Sequence, residues 1–152
     1  MVPLADESPL TTTVVRRDLT LDLALRLIDG AAKEATRRDV AMGLAIVDTG
    51  GRVVATARMD GAQLIAVDLA TDKAYTAVAL GAPTEAWAQS TQPGGSDWGL
   101  STTLGGRLVV FAGGLPVKVD GQVVGAIGVS GSAASVDRAC AAAGLASVGL
   151  PE

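Results

Sequence analysis

The sequence AIVDTGGRVV, residues Ala45–Val54, decides the fold of this chain. Apolar β-branched residues flank a DTGG turn whose glycines accept a positive φ. The pattern predicts a strand over Met42–Val47, a tight turn, and an antiparallel return strand over Arg52–Met59. Residues 60–62, Asp-Gly-Ala, end this hairpin, and a helix is predicted over Gln63–Leu80.

Three more helices are predicted outside the hairpin. The first starts after the N-cap candidate Thr20 and ends at Arg37-Arg38, where the helix dipole favours cations. A short helix runs from Pro83 to Trp87, since proline is well tolerated at a first helical position. A last helix ends near Gly144.

Three further strands follow the long Ser/Thr/Gly/Pro loop Ser90–Arg107. They are predicted at Leu108–Ala112, Leu115–Val119 and Gln122–Val129, and tight glycine turns join them. We therefore predict an α+β fold with a five-stranded, largely antiparallel sheet covered by helices. Residues 18–152 are expected to form one domain after a flexible N-terminal arm, residues 1–17.

The composition limits the classes of function. Hydrophobic residues make up 49% of the chain and the mean hydropathy is +0.39, which argues against general disorder. A net charge of −4 argues against nucleic acid or an anionic membrane as a partner. No run of about 18 apolar residues predicts a membrane span. Residues 1–8 lack the pattern of a signal peptide, so we expect a cytoplasmic protein.

Missing residue types exclude several kinds of site. The chain has no histidine, so it cannot form a Ser-His-Asp or Cys-His catalytic group. Cys140 is the single cysteine, which excludes an internal disulfide and predicts a buried structural thiol. Structural zinc has no ligand set, and we expect no metal site. Gly125, Gly128 and Gly131 are three residues apart, which is not the spacing of a dinucleotide loop.

The candidate site lies around the end of the first hairpin and the helix that follows. Asp60, Lys73 and Tyr75 are the candidate acid–base residues, and partial burial of Lys73 would make it a base or a Schiff-base amine. Gly61 and Ala62 are expected at a helix start, where backbone N–H groups can hold an anionic or carbonyl oxygen. The candidate ligand-binding residues are Arg58, Gly61, Ala62, Thr76, Glu85 and Trp98.

Two other interpretations of these residues stay open. Arg58, Asp60 and Lys73 could instead form a structural ion-pair network between hairpin and helix. Trp98, in a polar loop, either covers a pocket or packs into a neighbouring subunit, whereas Trp87 is expected in the core or an interface.

Several motifs together resemble the GlcG/HbpS family, which includes the C-terminal domain of PduO-type proteins. They span about residues 19–144 and are Leu19-Thr20-Leu21, Val47-Asp48-Thr49-Gly50-Gly51, Arg58-Met59-Asp60-Gly61-Ala62, Lys73-Ala74-Tyr75-Thr76-Ala77, Pro83-Thr84, Gly113-Gly114-Leu115-Pro116 and Val124-Gly125-Ala126-Ile127-Gly128-Val129-Ser130-Gly131. The resemblance implies a profilin-like α/β/α sandwich, assembly into a homo-oligomer, and haem binding or degradation. Without histidine, the side chains available as iron ligands are Tyr75, Cys140, Met42, Met59 and Met1.

Three functions follow from these observations. The first is a small-ligand-binding protein of the GlcG/HbpS type, with haem or another tetrapyrrole as the implied ligand. The second is a cofactor-independent enzyme that uses acid–base residues for a cyclisation, isomerisation or condensation of a small organic substrate, in a specialised biosynthetic pathway. The third is a structural, oligomeric accessory protein.

Overall fold

The structure is a computed structural model that describes residues 11–152. Among these residues the chain forms three α-helices and four strands. In chain order they are α1 (Leu21–Arg37), β1 (Gly43–Val47), β2 (Val53–Arg58), α2 (Ala66–Leu80), β3 (Gly114–Val119), β4 (Gln122–Ser130) and α3 (Ala134–Ser147). Short 3-10 helices lie between α2 and β3, at Thr84–Trp87, Leu100–Thr102 and Leu104–Gly106.

The four strands form one antiparallel sheet in the order β2-β1-β4-β3. The predicted fifth strand, Leu108–Ala112, is wrong, because side chains take the backbone groups that a strand would pair. The Val109 N–H donates to the Thr76 hydroxyl at 2.9 Å, and the Phe111 carbonyl accepts from the Thr84 hydroxyl at 2.7 Å. Thr76 lies in α2 and Thr84 begins the 3-10 helix after it, so this segment is tied to helical residues and not to the sheet.

The sheet lies between two helical layers. α2 packs on one face, and α1 and α3 pack together on the other. The side chains of β4 alternate between these layers: a Cβ built on Gly128 would overlap the carbonyl oxygen of Ala70 in α2, while Ile127 lies near Gly144 of α3. This close approach of the backbones of α2 and β4 explains why glycine and alanine dominate the contact between the helix and the sheet.

The main apolar core lies between the sheet and the pair α1/α3. Its larger members come from the sheet, α1 and α3 and are Leu27, Leu44, Ile46, Leu115, Ile127, Val129 and Leu145, all buried. Cys140 belongs to the same cluster, which confirms the predicted buried thiol, and burial raises its pKa. The predicted N-cap is also confirmed, since the Leu23 N–H donates to the Thr20 hydroxyl at 3.2 Å.

The start of α2 differs from the prediction. The helix begins at Ala66 and not at Gln63, because residues 59–66 make two successive turns. The Ala62 N–H donates to the Met59 carbonyl, and the Ala66 N–H donates to the Gln63 carbonyl, each at 3.0 Å. Leu64, which falls within the predicted helix, lies before α2 and is 86% exposed.

The chain before α1 contacts β4 and the turn between β3 and β4. Residues 11–18 are exposed and lie outside any helix or strand, while residues 1–10 of the predicted arm lie outside the described residues. Arg17 forms an exposed ion pair with Asp120 at 3.2 Å, and the Leu19 N–H donates to the Val124 carbonyl at 2.9 Å. Within residues 11–152, no helix combines the length and the apolar character needed to cross a membrane.

Candidate functional site

The predicted site residues lie in two separate places. Arg58, Asp60, Gly61 and Ala62 lie at the end of edge strand β2 and in the β2–α2 connection, residues 59–65. Lys73 faces the other half of the sheet, because its nitrogen contacts the Val129 carbonyl of β4 at 3.1 Å. The central strand β1 separates β2 from β4. Residues that the sequence analysis assigns to one site therefore lie in two separate parts of the fold.

The β2–α2 connection is exposed and only partly apolar. Arg58, Asp60 and Gly61 are exposed, and Gly61 takes a positive φ of 84°. Asp60 and Met59 line a cavity of about 260 Å³ together with Thr36 of the last turn of α1 and with Asp39, Val40 and Ala41 of the α1–β1 connection. Because α2 starts at Ala66, Gly61 and Ala62 lie in a turn and not at a helix N-terminus. The oxygen-binding role predicted for a helix start at these two residues therefore loses its structural basis.

Lys73 is fully buried and forms an ion pair that the sequence did not suggest. Its Nζ lies 2.7 Å from Oδ2 of Asp137, a buried residue in the first turn of α3. The other carboxylate oxygen of Asp137 accepts the Ser132 N–H at 3.0 Å. Among the described residues Lys73 therefore pairs with Asp137, and neither Arg58 nor Asp60 belongs to that ion pair.

The Phe111 ring and the Glu85 carboxylate complete the surroundings of Lys73. The Phe111 ring centroid lies 5.0 Å from Nζ, in the geometry of a cation–π contact. Burial lowers the pKa of Lys73 from its ordinary value, while the hydrogen bond and charge of Asp137 and the charge of Glu85 oppose this shift. Burial therefore favours the neutral amine, whereas the two carboxylates favour the charged ammonium.

Glu85 joins a second ion pair beside the first. One of its oxygens pairs with Arg138, which also binds Glu152 at 2.6 Å. The other oxygen, Oε2, is buried and has no hydrogen-bond partner among residues 11–152, and the same holds for Trp87 Nε1. Charged side chains from four parts of the chain therefore meet at this end of the molecule: the α2 helix, the Thr84–Trp87 turn, the α3 helix and the C-terminal segment.

Tyr75 and Thr76 hold the end of the long loop against α2. The Arg107 guanidinium lies 3.6 Å from the Tyr75 ring centroid and also contacts Asp72 at 3.2 Å. Thr76 is buried, and its hydroxyl accepts the Val109 N–H. A Cβ on Gly51 would press on the Tyr75 ring, so the first hairpin also packs against this tyrosine. These contacts give both residues a structural role in positioning the loop.

Trp98 lies in that loop and is largely exposed. Its indole therefore does not belong to the core, and its role in a pocket or an interface remains a prediction. Leu104 in the same loop and Phe111 after it are also exposed apolar residues.

Asp137, Phe111 and Arg138 are the residues that the sequence analysis missed. Asp137 is 64 positions from Lys73, and no local periodicity connects them. A signal does exist in Gly113-Gly114: a Cβ on Gly113 would lie 2.6 Å from Lys73 Nζ and 3.0 Å from Asp137 Cβ. A glycine pair before a buried strand can thus indicate a side chain that passes close to the backbone.

Comparison with known proteins gives consistent results along the chain. The family model described as "Haem degrading protein HbpS-like" matches residues 19–146. A 15.0 kDa protein from the dhaT-dhaS intergenic region of Citrobacter freundii is 38% identical over 127 residues, which are 84% of this chain and 89% of that protein.

Two crystal structures share the fold. Klebsiella pneumoniae protein ORFY superposes with a TM-score of 0.92 at 34% identity, covering 95% of this chain and 100% of that one. The PduOC:haem complex superposes with a TM-score of 0.85 at 32% identity, covering 88% of this chain and 97% of that one.

Proposed function

This chain belongs to the HbpS-like family, and on that premise we propose that it is a small-ligand-binding protein whose ligand is haem or a molecule of similar chemistry. Such a ligand combines a flat apolar ring system with carboxylate substituents. The observation that carries the proposal is the similarity to PduOC, which was crystallised with haem and matches over most of both chains.

Within residues 11–152, the candidate iron ligands do not fit the usual axial positions of haem, and Met1 lies outside the described residues. There is no histidine, and both Met42 and Cys140 are fully buried in the core. The Tyr75 ring is occupied by Arg107, and the Met59 sulfur already accepts the Met42 N–H at 3.4 Å. We therefore derive no chemistry at the iron, and the proposal depends on contacts to the ring and its carboxylates.

We place the ligand at the β2–α2 connection. Leu64 and Ile65 are exposed apolar side chains of the same connection that contributes Met59 and Asp60 to the cavity, and they offer a surface for a flat ring system. Arg58 is exposed at the end of β2 and can pair with a ligand carboxylate. The cavity, at about 260 Å³, is at or below the size of pockets that enclose a drug-sized ligand, so the ligand would lie on the surface.

A haemin titration of the purified protein tests the proposed function. We expect a saturable shift of the Soret band at one haem per subunit. A broad response that does not saturate would contradict haem binding. In that case the chain would still have the fold of the family, but its ligand would belong to another chemical class.

We also propose that the chain forms a homo-oligomer in the cytoplasm. The exposed apolar side chains of Trp98 and Leu104 support this, because such side chains are typical of subunit contacts. Light scattering coupled to size-exclusion chromatography gives the subunit number, and a monomer at micromolar concentration would contradict the proposal.

A further inference from the structure

Lys73 and Asp137 come from helices on opposite faces of the sheet and meet at the end where β4 finishes and β3 begins. Lys73 extends from α2 past Gly113, and Asp137 approaches from α3. The missing side chain of Gly113 provides the space, since any Cβ there would lie within 3.0 Å of both residues. The ion pair therefore depends on the absence of a side chain at position 113.

A buried ion pair is a costly way to hold two helices together. Desolvation of two charges commonly outweighs their attraction, and apolar residues of similar volume often stabilise a protein as well or better. Here the cost is increased by the neighbouring Glu85, whose Oε2 is buried without a partner among the described residues. Packing alone therefore does not account for this group of charges.

The Phe111 ring covers one side of the Lys73 amine. Its backbone is fixed, because its carbonyl accepts from Thr84, but its side chain is 47% exposed. The ring lies over Nζ at 5.0 Å, and rotation of this half-exposed side chain about χ1 would uncover that side of the amine without moving the backbone.

From this geometry we propose that Lys73 is a reversible covalent binding site for a small uncharged aldehyde or ketone, with Phe111 as its cover and Asp137 as its proton partner. The site is distinct from the haem-type site proposed at the β2–α2 connection. It requires no cofactor and no oxidant, because imine formation changes no oxidation state.

The reaction balances within the ion pair. The Lys73 ammonium gives one proton to Asp137 Oδ2, and the neutral amine forms a C–N bond to the carbonyl carbon. A second amine proton moves to the former carbonyl oxygen, which gives a carbinolamine. Asp137 then returns its proton to the hydroxyl, the C–O bond breaks, and water leaves. The products are a protonated imine beside a carboxylate, so the charges match those at the start.

The surrounding charges select the ligand class. The charges of Asp137 and Glu85 act on the amine, and the nearby Arg138 guanidinium is already paired with Glu85 and Glu152, which disfavours an anionic keto acid. The Phe111 ring adds an apolar wall. The lowered pKa of Lys73 acts in the same direction, because it increases the fraction of neutral amine.

Reductive trapping with propionaldehyde and cyanoborohydride tests the site, with peptide mapping of each lysine. Lys33 and Lys118 are internal controls, and Lys33 is an exposed surface lysine. In the folded protein we expect Lys73 to be modified several times faster than Lys33, because burial increases the fraction of neutral amine, and in urea we expect equal rates. Phe111→Ala should accelerate modification at Lys73 alone, and Lys73→Arg should remove the fast phase.

One outcome of this experiment would overturn the proposal. If Lys73 stays unmodified in both the folded wild type and Phe111→Ala while Lys33 reacts, the ion pair is purely structural and the proposal is wrong. Pyruvate in place of propionaldehyde tests the ligand class, and faster trapping of pyruvate at Lys73 would overturn the preference for uncharged carbonyls. No haem is present in either assay, so failure here leaves the proposed function untouched.

Discussion

Single residues decide how the start and the middle of α2 differ in chemistry. At one end, Leu64 and Ile65 face solvent before the helix begins. Further along the helix, Lys73 is fully buried beside Asp137. A charge without contact to water needs a partner at hydrogen-bond distance, and the 2.7 Å contact supplies it. The same ion pair that fixes α3 against α2 thus keeps an amine beside a carboxylate.

Removing one member of this ion pair should be strongly destabilising. Asp137→Asn leaves the Lys73 ammonium buried without a counter-charge, and we expect a loss of about 3–5 kcal/mol in the free energy of unfolding. Urea denaturation measures it. The control is the double variant Lys73→Met with Asp137→Leu, which removes both charges and should recover most of the loss. A loss below about 1 kcal/mol for Asp137→Asn would contradict the burial of the ion pair.

Elements pack here through small residues. α2 lies so close to β4 that Gly128 has the Ala70 carbonyl where a side chain would begin. On the other face, larger apolar side chains such as Leu27 and Ile127 fill the space below α1 and α3. The two faces of the sheet therefore tolerate different changes, since one is limited by backbone contact and the other by side-chain volume.

Gly128→Ala should disrupt the α2 face. Because the added methyl overlaps the Ala70 carbonyl, α2 must move away from the sheet, and we expect a loss of about 3 kcal/mol or more in the free energy of unfolding. Gly50→Ala is the matched control: it lies in the exposed hairpin turn, where the nearest atom to an added Cβ is 3.3 Å away. Thermal or urea unfolding compares the two. Equal stability of both variants would show that α2 is not in backbone contact with β4.

The C-terminal end of α1 should lose stability in acid. Hydrogen bonds from Arg37 and Arg38 lower the pKa of Glu34 from 4.5 to about 2. Because the folded state holds the proton less tightly than the unfolded state, Glu34 stabilises the fold above pH 4.5, and this contribution is lost as the pH falls through about 2. The difference in unfolding free energy between wild type and Glu34→Gln should therefore shrink below pH 4.5. A difference that does not change with pH would contradict the arrangement.

Across the whole molecule, local signals predicted the elements, and distant contacts decided the site. The hairpin around Gly50-Gly51 and the cap at Thr20 depend on neighbouring residues, so the sequence indicates them. The segment Leu108–Ala112 has the composition of a strand, but hydroxyls from Thr76 and Thr84 take its backbone groups. Only the folded chain reveals competition of this kind.

The site followed the same rule. Lys73 is unusual in the sequence because it is a lysine in an alanine-rich segment. The sequence analysis predicts partial burial of this side chain, and the structure buries it fully. Its grouping with Arg58 and Asp60 relied on closeness in sequence, whereas the strand order β2-β1-β4-β3 separates them. Assigning a partner such as Asp137 requires the topology of the whole domain.

The most direct test of the central claim is haemin titration of a matched pair of variants. Leu64→Ser removes an apolar side chain that is 86% exposed in the β2–α2 connection, and Val14→Ser removes one that is 78% exposed before α1. Both variants should fold as the wild type does, since neither side chain belongs to the core. If the ligand lies at the β2–α2 connection, Leu64→Ser weakens haem binding about tenfold or more while Val14→Ser leaves it unchanged. Equal affinity of both variants and the wild type would contradict the account.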